Sequence, residues 1–338
     1  MTPENVTSSE IVPTPDAVLM PADQDVADAQ LVGAALMASR SPGTLRTYAS
    51  YWRGFVAWCE DRDRASLPAD PDTVARYIAA RAHTGMSASG VGQVLASISY
   101  HHQRTRLPDP TTDPLVVETR KGLRRGPRGT AATKPAHAVT VEDVHRIVAA
   151  IDTSELVGLR DRALILLGFA TGMRRSELGA LMVRDLEWKG GDLLVTIRVS
   201  KGDQEGAGQV VGVVRGAYAA SDPVEALHRW LVAADALDRP DCAVFAPINK
   251  GGNLRPCTPM SGHAVGDVLI RRADAAGLSS LSLTAHSLRA GLITAMIEAG
   301  ASLPQAQRVA RHKSVSTTAR YARGRDALED SPVRMIGL

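Results

Sequence analysis

Cysteine is scarce in this sequence, with only three among 338 residues. Cys59, Cys242 and Cys257 are odd in number and widely spaced, and no two of them form a C-x-x-C pair. This pattern predicts neither a disulfide framework nor a zinc site, and it favours a reducing cytoplasm as the compartment.

Long apolar runs and a signal peptide are also missing. No apolar stretch reaches the ~18 residues that a membrane-spanning helix requires. The N-terminus is acidic and lacks the basic start and apolar segment of a secretory signal. We therefore expect a soluble cytoplasmic protein with no membrane partner.

Positive charge is absent from residues 1–35, which hold six acidic side chains and no Lys or Arg. The whole chain has a formal net charge of +3, so the rest of the chain carries about +9 once those six charges are set aside. Such a basic body favours a phosphate-bearing partner.

The first part of the chain has helical patterns and no pattern typical of strands. Residues 1–22, rich in Pro, Ser, Thr and acidic side chains, predict a disordered acidic leader. We predict a helical domain over residues 23–125, which includes a short helix over 23–37. We predict a basic linker over residues 126–138. Capping residues ahead of apolar residues at helical spacing mark four further helix starts, at Ser41-Pro42, Asp70-Pro71, Ser87 and Asp113-Pro114.

Residues 139–338 predict a second, mostly helical domain with a small sheet. Thr140 with Asp143 comes close to a capping box, and apolar helices are predicted over about 161–171 and 176–181. Residues 192–199 and 209–215 are β-branched and flank a glycine-containing turn, which predicts a hairpin. Further helices are predicted to begin near Asp222, Ser261, His286, Leu303 and Ser316.

Three strings of this second domain carry residue types suited to phosphoryl transfer. They are T-G-M-R-R-S-E-L around Arg174, T-A-H-S-L-R-A-G with His286 and Arg289, and R-H-K-S-V-S-T-T-A-R-Y-A with His312 and Tyr321. Planar guanidinium groups stabilise charge on phosphate oxygens, and a phenol can attack phosphorus once it loses its proton. Any one of these residues alone has an ordinary structural explanation, such as packing for a tyrosine.

The strings resemble the catalytic signature of tyrosine site-specific recombinases of the phage integrase family, closest in layout to Cre-type enzymes. The resemblance implies a helical core-binding (SAM-like) domain and an α+β catalytic domain that form a C-shaped clamp on DNA. It implies a 3′-phosphotyrosine intermediate, a Holliday junction, and no metal or nucleotide cofactor, because the phosphotyrosine conserves the bond energy.

The resemblance also implies a role for each site residue. Arg174 and Arg289 clamp the phosphate, and Tyr321 is the nucleophile on a helix capped near Ser316. His286 assists proton transfer, while His312 donates a hydrogen bond to the phosphate. Glu177 supports Arg174. Lys201 protonates the leaving 5′ oxygen, with Lys189 as the alternative.

The expected partner is double-stranded DNA with inverted-repeat sites. We expect a largely monomeric free protein, a dimer on each site and a tetramer on two, with residues 325–338 docking on a neighbouring protomer. We expect a nucleoid-associated location. The candidate DNA-binding residues are basic or polar, namely Arg104, Arg106, Arg120, Lys121, Arg124, Arg125, Ser87, Gln93, Arg271 and Arg272, with Ser89 and Ser97 on the same helix as Ser87.

The sequence departs from the family pattern before His312, where Arg311 stands in place of the common Gly. We expect the local backbone or a phosphate contact to differ there. Two other readings stay open: a catalytically silent DNA-binding regulator of the same fold, and a topoisomerase-like or telomere-resolving strand transferase. The remaining histidines, including His102, are interpreted as structural.

Overall fold

A computed structural model describes residues 40–125, 137–198, 208–284 and 286–322, together with Asp28 and Leu31. The predicted leader, most of the predicted helix over 23–37 and most of the predicted linker lie outside these ranges. The chain divides into two compact units, Met1–Lys134 and Pro135–Leu338. The exact domain boundaries remain a prediction.

The described part of the first unit is helical. Its helices are α1 Pro42–Glu60, α2 Pro71–His83, α3 Ala88–Arg104 and α4 Pro114–Arg125, with a short 3-10 turn over Pro110–Thr112. The side chains of Ser41, Asp70 and Ser87 each accept a hydrogen bond from a backbone N–H in the first turn of the helix that follows. Asp113 accepts in the same way from Leu115 at the start of α4. The four predicted helix starts are therefore confirmed.

A buried histidine completes the core of this unit. His102 is fully buried, and its Nε2 accepts from the Ala69 N–H at 2.9 Å, so Nδ1 carries the proton and donates to the Ile98 carbonyl at 2.8 Å. Both ring nitrogens have backbone partners. The interpretation of His102 as a structural histidine is confirmed.

The second unit combines helices with one small sheet. Its helices are α5 Val141–Ala149, α6 Leu156–Thr171, α7 Arg175–Gly179, α8 Pro223–Ala233, α9 Gly262–Ala275, α10 Ser287–Glu298, α11 Leu303–Ala310 and α12 Val315–Ala322. Its strands are β1 Leu186–Lys189, β2 Asp192–Ile197 and β3 Gln209–Val213. The fold class predicted for this part of the chain is confirmed.

The strands form an antiparallel sheet in the order β1-β2-β3, with Val195 opposite both Leu186 and Val211. The predicted hairpin is β2 and β3. The additional strand β1 was not predicted, because it has only four residues, three of which are exposed, and so short a segment gives little periodic signal.

Helix α6 passes through the core of the second unit, where Ala163, Leu164, Ile165, Leu166 and Leu167 are all buried. It begins at Leu156, about five residues before the predicted start, and Glu155 ahead of it provides no side-chain cap. Since the sequence signal for a helix start is the cap, its absence explains the misplaced boundary.

The expectation of no disulfide is wrong for two cysteines. Cys242 and Cys257 are joined, with their Cα atoms 3.9 Å apart, while Cys59 is free and buried. An antiparallel bridge between Ile248 and Leu254 turns the chain back on itself and brings the two cysteines together. Their separation of 15 residues carries no signal of that turn.

In the described ranges, no helix is both long and apolar enough to cross a membrane.

A cluster of ion pairs around a buried carboxylate links α6 to α9. The carboxylate of Asp161 has no exposed surface and accepts hydrogen bonds from Arg160 at 2.6 and 2.9 Å, from Arg272 at 2.8 Å and from Arg271 at 3.2 Å. The Arg160 side chain is only 5% exposed. Because Asp161 is the anion that this buried arginine contacts, the cluster depends on it.

Replacing Asp161 with Ala should destabilise the second unit strongly. The change leaves Arg160 as an uncompensated buried cation, which typically costs about 3–5 kcal/mol of unfolding free energy. Urea unfolding measures this cost. Asp241→Ala is the matched control, because its ion pair with Arg184 is exposed and should change the midpoint little. Equal midpoints for the two variants would contradict a structural role for the cluster.

Candidate active site

Arg174 and Glu177 form an ion pair just after the end of α6. Gly172 ends that helix in the left-handed conformation, with φ of 55°, and Arg174 occupies the N-cap position of α7. Glu177 accepts the Arg174 N–H at 2.9 Å and its guanidinium at 2.5 Å. The Glu177 side chain is buried, whereas Arg175 is exposed. The structure therefore holds Arg174, and not the adjacent Arg175, against the carboxylate.

Arg289 lies on α10 and contacts the ends of two other helices. Its buried guanidinium donates to the Gly172 carbonyl at 2.7 Å and to the Ala310 carbonyl. Burial, followed by the positive charges of Arg174 and Arg311, lowers the pKa of Arg289 to about 10. This pKa stays well above neutrality, so the group remains a cation.

His286 stands immediately before α10, at its N-cap position, with helix-like backbone angles. Desolvation lowers its pKa first, and the positive charges of Arg289, Arg174 and Arg175 lower it further. His286 therefore lies within the electrostatic reach of both predicted phosphate-clamping arginines.

His312 and Tyr321 face each other. Their rings are stacked at 17°, with centroids 6.0 Å apart. Between them along the chain, the fully buried Thr318 places its hydroxyl 2.9 Å from Nδ1 of His312. Ser314, and not the predicted Ser316, accepts a hydrogen bond at the start of α12, from the Ser316 N–H. The helix consequently begins one residue before Ser316, at Val315.

The imidazole of His312 is held neutral. Desolvation, followed by the positive charges of Arg289 and Arg174, lowers its pKa to about 4. A neutral histidine has one nitrogen that accepts and one that donates. With Nδ1 engaged by Thr318, Nε2 is the nitrogen left to meet a substrate.

Arg311 is the site residue whose contacts the sequence did not predict. Its backbone is left-handed, with φ of 53°, and its guanidinium donates to Glu177 at 2.8 Å. Its side chain is 4% exposed. The only signal in the sequence was an arginine where the family commonly has glycine, which gave no indication of its partner.

Lys201 lies outside the described residues, in the segment between β2 and β3. Its alternative, Lys189, is exposed at the end of β1. The assignment of a catalytic lysine remains a prediction.

The candidate DNA-binding residues of the first unit are largely at its surface. Arg104 is exposed, with its guanidinium over the Tyr100 ring, and Gln93 is exposed on α3. Ser87 is engaged in capping α3. The proposal for Ser97 is wrong, because its side chain is fully buried and donates to the Tyr48 carbonyl. The remaining candidates here are all exposed: Arg106, Arg120, Lys121, Arg124 and Arg125.

In the second unit, Arg271 and Arg272 both contact the buried Asp161. Arg272 is 20% exposed and Arg271 56%, so Arg271 retains more surface for a phosphate. A DNA-binding role for either residue remains a prediction.

The site as a whole suits an anionic substrate. Arg174 and Arg311 form ion pairs with Glu177, and Arg289 lies within electrostatic reach of all three, so that three guanidinium groups face one carboxylate among the described residues of the site. The excess of fixed positive charge stabilises negative charge that develops on bound oxygens. Over the described ranges, no group of three or more His, Cys, Asp or Glu side chains is arranged to hold a metal ion.

Comparison with known proteins gives consistent matches. The family model described as "Phage integrase family" matches residues 137–327. The integrase/recombinase xerD homolog of Selenomonas ruminantium is 30% identical, covering 88% of this chain and 86% of that protein. Recombinase cre of Escherichia phage P1 is 24% identical, covering 88% of each. A crystal structure of a lambda integrase tetramer bound to a Holliday junction matches the fold with a TM-score of 0.57 at 19% identity, covering 86% of this chain and 76% of that chain.

The pKa of His312 gives a direct test of this geometry. We expect its side-chain NMR signals to titrate with a midpoint at about 4, well below the ordinary 6.5. Between those two values the unfolded chain binds the proton first, so this histidine makes stability fall as the pH drops through that window. His312→Gln identifies the signals by their loss and removes this contribution. A midpoint above 6 would contradict the buried, positively charged environment.

Proposed function

The chain belongs to the phage integrase family of tyrosine recombinases, and we propose that Arg174, His286, Arg289, His312 and Tyr321, together with Lys201, carry out its chemistry. It is a site-specific DNA recombinase, an enzyme that cuts and rejoins DNA strands.

One observation carries the proposal: three distant motifs meet around the Gly172 and Ala310 carbonyls. Arg289 donates to both carbonyls, Gly172 lies two residues before Arg174, and Ala310 lies two residues before His312. The arginines of two motifs and the histidine of the third are thus held in one place. Arg174 and Arg289 are the phosphate clamp in this scheme, because bidentate guanidinium groups match the non-bridging oxygens.

Tyr321 is the nucleophile. Its phenolic oxygen attacks the scissile phosphorus, the phosphorus–5′ oxygen bond breaks, and a 3′-phosphotyrosine forms. His286 assists removal of the phenol proton. The bond energy is retained in the phosphotyrosine, so attack by a 5′ hydroxyl of the second duplex rejoins the strands and gives a Holliday junction.

His312 donates a hydrogen bond to the phosphate. In this role the proton is on Nε2, and Nδ1 accepts from the Thr318 hydroxyl, which lies 2.9 Å away. The neutral imidazole then presents a donor, and not a lone pair, to the anionic oxygens. Thr318 is fully buried, so this partner is shielded from competing water.

Lys201 protonates the leaving 5′ oxygen. The segment that contains it leads into Gln209, the first residue of β3. Gln209 lines a cavity of about 350 Å³ together with Arg311 and His312. The described end of that segment is therefore next to the site, which supports Lys201 over the alternative Lys189.

The DNA substrate is a pair of duplex sites with inverted repeats. Two protomers bind each site and four assemble during exchange, while the free protein is monomeric. The fold match to a lambda integrase tetramer on a Holliday junction supports this assembly. Residues 325–338, which lie outside the described ranges, dock on the neighbouring protomer. The enzyme acts at the nucleoid in the cytoplasm, where its DNA substrate is.

Tyr321→Phe should abolish covalent capture of DNA while leaving binding intact, because only the attacking oxygen is removed. A nicked duplex selected from a randomised pool is incubated with each protein, and adducts are resolved on a denaturing gel. Tyr218→Phe, which changes a surface tyrosine of the same unit, should keep the adduct. Wild-type protein that binds the selected duplex but forms no adduct would favour the regulatory reading.

DNA affinity should fall steeply with salt, by about 0.9 log units per phosphate contact for each tenfold rise in salt. Arg120→Ala removes one exposed cation of the first unit and should reduce that slope by about 1. Fluorescence anisotropy at several salt concentrations measures both slopes. A slope near zero for wild type would overturn the phosphate contacts proposed here.

A further inference from the structure

Arg311 occupies a backbone position that does not favour arginine. It follows α11 with φ of 53° and ψ of 46°, the left-handed region in which glycine is at no disadvantage. Its N–H is bonded to the carbonyls of Arg308 and Gln307. The N–H is satisfied without the side chain, so the side chain needs a separate explanation.

The guanidinium of Arg311 is directed into the site and not to solvent. It donates to Glu177 Oε2 at 2.8 Å, and its terminal nitrogens lie 3.4 Å from the Thr171 and Gly172 carbonyls. Its Nε is buried and has no hydrogen-bond partner among the described residues. Among the described residues, Glu177 is the acidic group that compensates this buried cation at hydrogen-bond distance.

Glu177 is in turn shared between two arginines. Oε1 contacts the Arg174 guanidinium, whereas Oε2 contacts Arg311 and the Arg174 N–H. Arg311 fixes one side of the carboxylate and offsets its charge. A carboxylate held from both sides keeps Arg174 in one orientation without cancelling its positive charge.

We propose that Arg311 is a positioning residue for DNA cleavage, which locks Glu177 and through it Arg174, and ties the segment leading to His312 and Tyr321 to the first arginine motif. The proposal rests on the proposed function, since it presumes that Arg174 clamps the scissile phosphate. It assigns Arg311 no direct contact with the DNA.

A direct phosphate contact is the competing explanation, and burial argues against it. The Arg311 side chain is 4% exposed, whereas Arg308, which lines the same cavity, is exposed. An arginine that binds the backbone of a duplex needs an accessible guanidinium. Arg308 fits that description and Arg311 does not.

Arg311→Gly is the decisive variant, because glycine suits this backbone and removes only the side chain. We expect single-turnover cleavage of the selected nicked duplex to slow ~10–100-fold, while the dissociation constant for that duplex changes less than ~3-fold. Arg239→Ala is the matched control: it removes an exposed cation of the same unit that pairs with Asp235 at the surface, and it should leave the cleavage rate constant close to that of wild type.

A double-mutant cycle shows whether Arg311 acts through Glu177. In the Glu177→Gln background, Arg311→Gly should slow cleavage by less than ~3-fold, because the group that it positions is already altered. Arg311→Lys restores a cation but not the planar fork, so it should recover only part of the rate lost in Arg311→Gly. Arg311→Asn, which also tolerates the left-handed backbone, replaces the glycine variant if that protein fails to fold.

The outcomes separate cleanly. Full activity of Arg311→Gly, or equal and independent losses in both backgrounds of the cycle, would overturn the positioning role. A loss of DNA affinity that accounts for the slower cleavage would do the same and identify a phosphate contact. If wild-type protein itself forms no adduct, the proposed function fails first.

Discussion

The site of the second unit holds three positively charged arginines close together, and the C-terminal ends of two helices make this possible. Arg174, Arg289 and Arg311 are close enough to affect one another's ionisation. Arg174 and Arg311 contact Glu177, while Arg289 and Arg311 contact carbonyls at the ends of α6 and α11, namely those of Thr171, Gly172 and Ala310. Such carbonyls carry the partial negative charge of a helix C-terminus. The cations are held by dipoles that add no net negative charge.

The C-terminal ends of α6 and α11 also determine where Arg174 and His312 lie. The left-handed residues Gly172 and Arg311 turn the chain directly after α6 and α11, so that Arg174 and His312 follow at once. Arg289, on α10, donates a hydrogen bond to a carbonyl at each of these two turns. A site that requires little motion of its charged groups before reaction stabilises developing charge efficiently.

The sequence correctly predicted the features that depend on neighbouring residues, such as the starts of capped helices. Ser41, Asp70 and Ser87 cap helices wherever they precede apolar spacing, and these starts were correct. Strand β1, the start of α6 and the Cys242–Cys257 bond were missed because each lacks a clear local signal: β1 has only four residues, Glu155 provides no cap, and the spacing of the two cysteines gives no sign of the turn between them. Ser97 was misjudged because a small polar residue on a helix gives no sign of which face is buried.

The motif strings indicated which residues meet in the site, but not how Arg311 connects them. Its hydrogen bond to the Thr171 carbonyl spans 140 residues of sequence. During synthesis from the N-terminus, α6 and Arg174 leave the ribosome long before residue 311 has been made. The arginine–carboxylate cluster therefore cannot assemble on the early nascent chain, and translation itself delays the appearance of a complete charged site until the last described helices emerge.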